Sequence, residues 1–303
     1  MSTIRDAHFI PEWIDMGPQV PEPKIDWIKE KYLDLKYGDD PLQAIDLYLP
    51  NDRPAGPLPV LVLVHGGGFA LCDKRDWHVY PGFFALGEGF ALASVNYRLT
   101  PTVRVPAPVY DLKAALTWLR AHAEQYGLDK ENFFLYGTSA GGNLVSVAAL
   151  SDAAGKLAQP GAEPGKPAYN VRAVANLCGL VDFEGFWQVI STLPLPEEMK
   201  QMFAATARDY LGVMPDEDPA MAQTAGAAAY VTSKAPPFYI QHGTADPAVP
   251  LAQALALAQQ LQAAGAEVEL DIMEGVAHAG GGPEYLEPEH VLPILQFFKK
   301  HLK

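Results

Sequence analysis

The sequence predicts an α/β fold: a mostly parallel sheet with helices on both faces. Continuous aliphatic runs such as Val60-Leu-Val-Leu-Val64 mark strands buried on both sides, as parallel sheets require. These runs alternate with stretches of helical length, the order that builds strand–helix–strand units. The size and composition agree. A chain of 303 residues, 49% apolar and 19% charged, is long enough for one large α/β domain with a sizeable core.

Taken in order, residues 1 to about 28 are irregular, with Pro11, Pro18, Pro21 and Pro23 among Phe9, Trp13 and Trp27. They read as a packed arm that could cover a site. Tyr32–Tyr37 alternates, turns through Gly38-Asp-Asp-Pro41 and alternates again over Ala44–Leu49, which predicts a hairpin at a sheet edge. The run at Val60 and Ala91-Leu-Ala-Ser-Val-Asn96 are the next strands. Val109, Leu112, Leu116 and Leu119 form a helical stripe between Pro108 and His122. A strand from Phe133 and a helix after Ser139 follow, then a polar Gly/Pro loop from about Gly155 to Pro167 and a strand over Val171–Cys178. Residues from about 180 to 231 break the rhythm, with Phe183, Phe186, Trp187, Met199, Met202 and Phe203 on helix-like segments around Leu193-Pro-Leu-Pro196. Regularity returns with a strand at Phe238–Gln241, a helix over Leu251–Ala264, a strand at Val268–Met273 and a helix over His290–Leu302. The irregular insert is expected to form a small cap at the C-terminal edge of the strands, where open α/β sheets bind ligands.

Charge narrows the partners. A net charge of −14 disfavours nucleic acid and anionic membrane surfaces. Two cysteines, Cys72 and Cys178, are too few and too far apart for a metal or disulfide framework. Cys178 reads as a core residue; Cys72 follows a glycine loop, and nothing nominates it as a nucleophile. The N-terminus lacks the pattern of a signal peptide, and no window is long and apolar enough to span a membrane, so a cytoplasmic location is expected. A homo-oligomer is compatible with all of this.

The most informative stretch is Asn132-Phe-Phe-Leu-Tyr-Gly-Thr-Ser-Ala-Gly-Gly-Asn143. An apolar strand meets Gly137-Thr-Ser-Ala-Gly141, and a helix-like segment follows. That order fits Gly-x-Ser-x-Gly at a sharp strand-to-helix turn, which lifts a serine above the sheet at the positive end of a helix. Small residues two positions either side of Ser139 give such a turn its room. A phosphate loop is the alternative for a Gly-rich turn, but no Gly-Lys-Ser/Thr ending is present.

A nucleophilic serine needs an oxyanion hole, an orienting acid and a base. Val64-His-Gly-Gly-Gly-Phe69 follows a buried strand, so the N–H groups of Gly67 and Gly68, with that of Ala140, are candidates for the hole. His65 is expected to brace that loop rather than take a proton. Asp246 follows the strand ending at Gln241 and is the favoured acid; Asp182, at the end of the preceding strand, is the alternative. His278 lies in a small-residue loop after the last strand and is the candidate base, whereas His290 and His301 read as surface residues.

Together, His65-Gly-Gly-Gly68, Gly137-Thr-Ser-Ala-Gly141, Asp246 and His278 resemble the α/β-hydrolase superfamily. More narrowly, they are similar to the hormone-sensitive-lipase-like esterases and the related bifunctional feruloyl/acetyl-xylan esterases. Asn96-Tyr-Arg-Leu99, with Pro106 and Asp111 downstream, adds to the match, which runs from about Leu47 to the C-terminus. The resemblance implies an eight-stranded, mostly parallel sheet in a single domain over 1–303, capped by residues 1–28 and 180–231. It also implies Ser139 as nucleophile, Asp246 and His278 as its partners, and a hole formed by Gly67, Gly68 and Ala140. The expected activity is hydrolysis of small or short-acyl esters through an acyl-enzyme, without metal or organic cofactor. Two departures bear on the substrate. Thr100-Pro-Thr-Val-Arg104 replaces the Ala-Pro-Glu-His of the lipase-like branch, and Asp246-Pro-Ala-Val-Pro250 is closer to the carbohydrate-ester branch, hence acetyl or feruloyl esters of carbohydrates. An amide-cleaving enzyme of arylformamidase or aminopeptidase type shares the same machinery, and a non-catalytic binding member of the fold is the third reading. A neutral histidine base predicts activity that falls below pH roughly 6.5.

Overall fold

The computed structural model describes residues 23–159, 169–279 and 284–303. Most of the N-terminal arm, most of the Gly155–Pro167 loop and the glycines after His278 therefore lie outside the described residues.

Eight strands form one sheet: β1 (Lys31–Lys36), β2 (Ala44–Tyr48), β3 (Leu58–Val64), β4 (Ala91–Val95), β5 (Leu128–Thr138), β6 (Val171–Leu177), β7 (Phe238–Gly243) and β8 (Val268–Met273). Their spatial order is β1-β2-β4-β3-β5-β6-β7-β8. The hairpin β1–β2 sits at one edge and joins β4 antiparallel; from β4 to β8 every pairing is parallel. This is the mostly parallel eight-stranded sheet that the sequence predicts.

Helices cover both faces: α1 (Tyr80–Gly87), α2 (Ala107–Ala121), α3 (Ala123–Tyr126), α4 (Ala140–Ala153), α5 (Phe183–Thr192), α6 (Glu197–Leu211), α7 (Pro219–Ala225), α8 (Ala252–Ala263) and α9 (Pro288–Lys300). The unbroken aliphatic run of β3 has a direct reading here. Side chains alternate across a strand, so Val60, Val62 and Val64 enter a core with Leu112 and Leu116 of α2, Leu144 of α4 and Leu257 of α8. Leu61 and Leu63 enter the opposite core with Phe83 and Phe84 of α1 and Phe298 of α9.

The sequence reading assigns no element between the strands at Val60 and Ala91, yet α1 stands there. All of its residues from Tyr80 to Leu86 are buried, so it carries no polar stripe to betray a helical period. Likewise β5 begins at Leu128, before the apolar run, because Leu128 pairs with Leu58 across the polar Asp129-Lys-Glu131. His301 is not a simple surface residue: its ring packs edge-on against Phe297 at 4.8 Å.

Behind the sheet's C-terminal edge, Asn96-Tyr-Arg-Leu99 acts as a brace. The buried Asp111 carboxylate, at the start of α2, accepts from the Arg98 backbone N–H at 2.9 Å, from Arg98 Nε and Nη2, and from Gln43 Nε2 at 2.7 Å. Asp111→Ala would strand these donors, although Arg98 keeps partial access to water. We expect a loss of about 2–3 kcal/mol in urea unfolding, with the slope of the transition unchanged.

Candidate active site

The turn between β5 and α4 is built by steric necessity. Ser139 sits at φ 55° and ψ −117°, a conformation uncommon for a side-chain-bearing residue, and precedes the first turn of α4. Its N–H donates to the Leu177 carbonyl at 2.8 Å, which ties the turn to β6. A Cβ on Gly137 would lie 2.3 Å from the Gly141 carbonyl oxygen, and one on Gly141 would lie 2.1 Å from the Val64 carbonyl oxygen. Both neighbours are backbone and cannot rotate away. The two glycines are therefore where two chain segments touch.

The loop after β3 approaches the same serine. A Cβ on Gly66 would stand 3.2 Å from Ser139 Cβ. Tyr97, buried, donates its hydroxyl to the carbonyls of His65 at 3.2 Å and Gly66 at 3.0 Å. Because the peptide unit is planar and trans, pinning the Gly66 carbonyl fixes the opposite direction of the Gly67 N–H. Gly67 and Gly68 adopt φ 89° and 58°. Among the described residues, the backbone N–H groups of Gly67, Gly68 and Ala140 have no acceptor. His65 is buried, stacks on Tyr97 at 4.5 Å and directs Nδ1 at the Gly66 carbonyl at 3.0 Å. Burial lowers its pKa and keeps it neutral. It braces the loop, as the sequence reading expects.

The candidate acid and base come from the next two crossings. Thr244 N–H donates to the Met273 carbonyl at 2.9 Å and Ala245 N–H to that of Val276 at 3.0 Å, so the loops after β7 and β8 are stitched together. Asp246 Oδ1 accepts from the N–H groups of Ala248 and Val249, both at 2.8 Å. Its Oδ2 lies 2.7 Å from His278 Nδ1, and His278 Nε2 lies 2.8 Å from Ser139 Oγ. The structure thus joins Ser139, His278 and Asp246 in one hydrogen-bonded line. Asp182 takes a different role: it caps α5, accepting from Gly185 N–H at 3.1 Å.

The electrostatics of this line follow from its partners. Burial opposes ionisation of Asp246, but hydrogen bonds from His242, His278 and the Val249 N–H hold its carboxyl well below the usual range. Burial also favours a neutral His278. The neighbouring Cys178 sulfur and the Asp246 carboxylate outweigh that effect and raise its pKa above the ordinary value.

Two further residues, His242 and Cys178, stand beside this line. His242 is fully buried, with Nε2 2.8 Å from the Val249 carbonyl and 3.2 Å from Asp246 Oδ2. Contact with that carbonyl requires the proton on Nε2, and it fixes the turn that carries the acid. A histidine four residues before a candidate acid, at the very end of a strand, was the available signal. Cys178 is buried, as expected of a core residue. Its backbone sits at φ 43°, and its Sγ, a His278 nitrogen and an Asp246 oxygen all lie within 4.8 Å of one another. Nothing in one sequence brings residues 178 and 278 together.

The insert reaches the site through α6. Tyr210 stacks on Phe69 at 3.7 Å, and Thr206 Cγ2 lies 3.7 Å from the position of a Cβ on Gly68. Among the described residues, no helix is long and apolar enough to cross a membrane.

The strand order, the turn at Ser139 and the two following loops are those of the α/β-hydrolase fold. Within it, the chain belongs to the BD-FAE family, whose profile matches residues 45–261. Among curated proteins it is similar to Esterase LipQ of Mycobacterium tuberculosis, 34% identical over 239 residues, 77% of this chain and 53% of that one. It is also similar to Esterase LipC of the same organism, 31% identical over 228 residues, 75% of this chain and 54% of that one. The chain therefore spans about half the length of these relatives. A solved structure described as a truncated form of carbohydrate esterase from gut microbiota superposes with a TM-score of 0.79, covering 93% of this chain and 99% of that one. At 22% identity, that likeness speaks for the fold.

Gly141→Ala would force a methyl against the Val64 carbonyl. We expect about 3 kcal/mol or more of destabilisation in urea unfolding, at or beyond the upper end of ordinary overpacking, because backbone must move. Gly155→Ala, where no neighbour lies within 4 Å and only the left-handed backbone at φ 67° opposes a Cβ, should cost less, about 1–2 kcal/mol.

Proposed function

We propose that the chain is a serine carboxylesterase that hydrolyses small or short-acyl esters through an acyl-enzyme. The observation that carries this reading is the unbroken line Ser139 Oγ, His278 Nε2, His278 Nδ1, Asp246 Oδ2, with contacts of 2.8 and 2.7 Å. In the proposed reaction His278 Nε2 takes the Ser139 proton as Oγ attacks the ester carbonyl. The developing oxyanion is met by the N–H groups of Gly67, Gly68 and Ala140. The alcohol leaves with the proton held on Nε2. Water then gives its proton to the same nitrogen, attacks the acyl group and releases the acid and Ser139. Asp246 stays ionised throughout and stabilises the imidazolium. The chemistry needs no metal or organic cofactor. Residues 1–303 are taken as one domain, with α5 to α7 as a small cap.

For the substrate, α6 borders the space beside Gly68, with Thr206 Cγ2 3.7 Å from where a Cβ there would stand, and the proposed ester is one with a short acyl or alcohol portion. Acetyl or feruloyl esters of carbohydrates are the proposed natural class. Support comes from Asp246-Pro-Ala-Val-Pro250 and from the carbohydrate esterase whose fold superposes on this one.

The decisive experiment is hydrolysis of p-nitrophenyl esters from acetate to dodecanoate, with Ser139→Ala in parallel. Activity should peak at the short chains and fall by about 10⁴-fold or more in the variant, with covalent fluorophosphonate labelling lost. Turnover surviving Ser139→Ala would overturn the assignment, and activity confined to anilides would move the reaction to amides.

The pH profile tests the base. Only neutral His278 can accept the proton, so kcat/KM should rise with pH through its pKa. Because that pKa is raised, the acid limb should lie above roughly 6.5, upward of the sequence expectation. Asp246→Asn removes the carboxylate that supports the imidazolium. It should lower the rate by about 10⁴-fold and move the remaining limb to lower pH. A limb unmoved by that substitution would count against His278 as base.

A further inference from the structure

Cys178 is a buried thiol that exchanges no proton in the proposed ester hydrolysis, yet it lies against the two residues that serve Ser139. It directly follows β6, and its N–H donates to the Gln241 carbonyl at 2.9 Å, so β7 fixes its place. Its Sγ, one ring nitrogen of His278 and one carboxylate oxygen of Asp246 converge within 4.8 Å. Sulfur, imidazole and carboxylate together suit zinc or cadmium. Magnesium and calcium prefer oxygen alone.

The geometry points to an inhibitory site for a soft divalent cation, Zn²⁺ or Cd²⁺, held by Cys178, His278 and Asp246. A tetrahedral zinc ion sits about 2.0–2.3 Å from its ligands. The donors already lie close to the spacing it needs, and the 2.7 Å contact between His278 Nδ1 and Asp246 Oδ2 opens slightly as the ion enters. A fourth position is left for water. Access is from the His278 side, whose side chain is 20% exposed while that of Asp246 is fully shielded. An outer shell is in place: two backbone N–H groups hold Asp246 Oδ1, and the Tyr285 hydroxyl is anchored by Gly243 N–H at 3.0 Å. On binding, the Cys178 thiol proton leaves to solvent. The thiolate and the Asp246 carboxylate balance the charge of the cation. Once ligated, His278 can no longer serve Ser139. The inhibitory consequence therefore rests on the proposed function, whereas the binding itself does not.

A second cluster of the same atom types, Cys72, Asp76 and His78, lies behind the loop after β3. There Asp76 is already engaged by the backbone N–H groups of Asp73 and His78 and by His78 Nδ1 at 2.7 Å. An ion at that cluster would not touch His278.

The test titrates Cd²⁺ into the intact chain while following the thiolate-to-cadmium charge-transfer absorption and p-nitrophenyl acetate hydrolysis together. The expected result is one site per chain, with hydrolysis lost in step with the band and both reversed by EDTA. Cys178→Ser should lose the band and, relative to its own metal-free rate, require about tenfold more Cd²⁺ for inhibition; Cys72→Ser should behave as wild type. No band in the wild type, or a band that survives Cys178→Ser, overturns the site, as does a band abolished by Cys72→Ser. A band lost in Cys178→Ser while saturating Cd²⁺ leaves wild-type hydrolysis intact would uphold the binding and overturn the role given to His278. If Cys178→Ser does not fold, cadmium NMR decides: a sulfur-bound resonance that persists in Cys72→Ser upholds the site, and its absence overturns it.

Discussion

The approach of α4's first turn to the end of β3 is the contact on which the site depends. With a Cβ on Gly141 placed 2.1 Å from the Val64 carbonyl oxygen, these backbones touch with nothing between them. Two consequences follow. Ser139 is held at a positive φ by covalent continuity with a turn that has no room to relax, a strain of order 1–3 kcal/mol that the surrounding packing must sustain. The loop that continues from Val64 is also delivered directly beside the serine, so a hydroxyl and a row of backbone N–H groups face the same space. A larger residue at 137 or 141 would disturb both at once.

Polar groups around this contact divide into those that hold backbone and those that face the cleft. Tyr97 holds two carbonyls of the loop after β3, and His242 holds the Val249 carbonyl in the loop after β7. Each takes the carbonyl side of a peptide and leaves other donors of the loop to the functional groups. Asp246 shows the result. It is a shielded carboxylate, which would be costly to bury alone. Two N–H groups on Oδ1 and two imidazole nitrogens facing Oδ2 offset that cost and keep it charged. Its orientation is then over-determined, and with it the ring plane of His278.

How much of this was legible in the sequence depended on whether a signal was local. The double-sided burial of β3 is written in Val60-Leu-Val-Leu-Val64, and the turn at Ser139 in its flanking glycines. Asp246 and His278 could be nominated because each lies in a loop directly after a strand, and parallel strands send such loops to one edge. What stayed hidden was non-local or lacked contrast. Helix α1 has no polar face, so no period could be read from it. Cys178 ends an ordinary apolar strand; only the register of β6 against β7 sets its sulfur beside His278. Tyr97 belonged to a stretch noted for its resemblance, but its hydroxyl's hold on the His65 and Gly66 carbonyls depends on the parallel pairing of β3 with β4.

The insert between β6 and β7 is attached in a way that separates the space beside Gly68 from the geometry of the Ser139–His278–Asp246 line. Phe186 and Ile190 of α5 and Phe203 of α6 form their own small core, with Ala248 of the acid loop packed at its margin. Tyr210 anchors the other end of α6 on Phe69. These contacts are apolar and lie at side chains, whereas the hydrogen bonds that orient Asp246, His278 and the loop after β3 run through backbone and buried polar groups. Changes at Thr206 can therefore reshape the space beside Gly68 without moving a donor of the triad line. Dispersion contacts yield to repacking at modest cost, while a buried hydrogen bond does not. That asymmetry lets one framework keep the Ser139–His278–Asp246 line fixed while the space beside it varies.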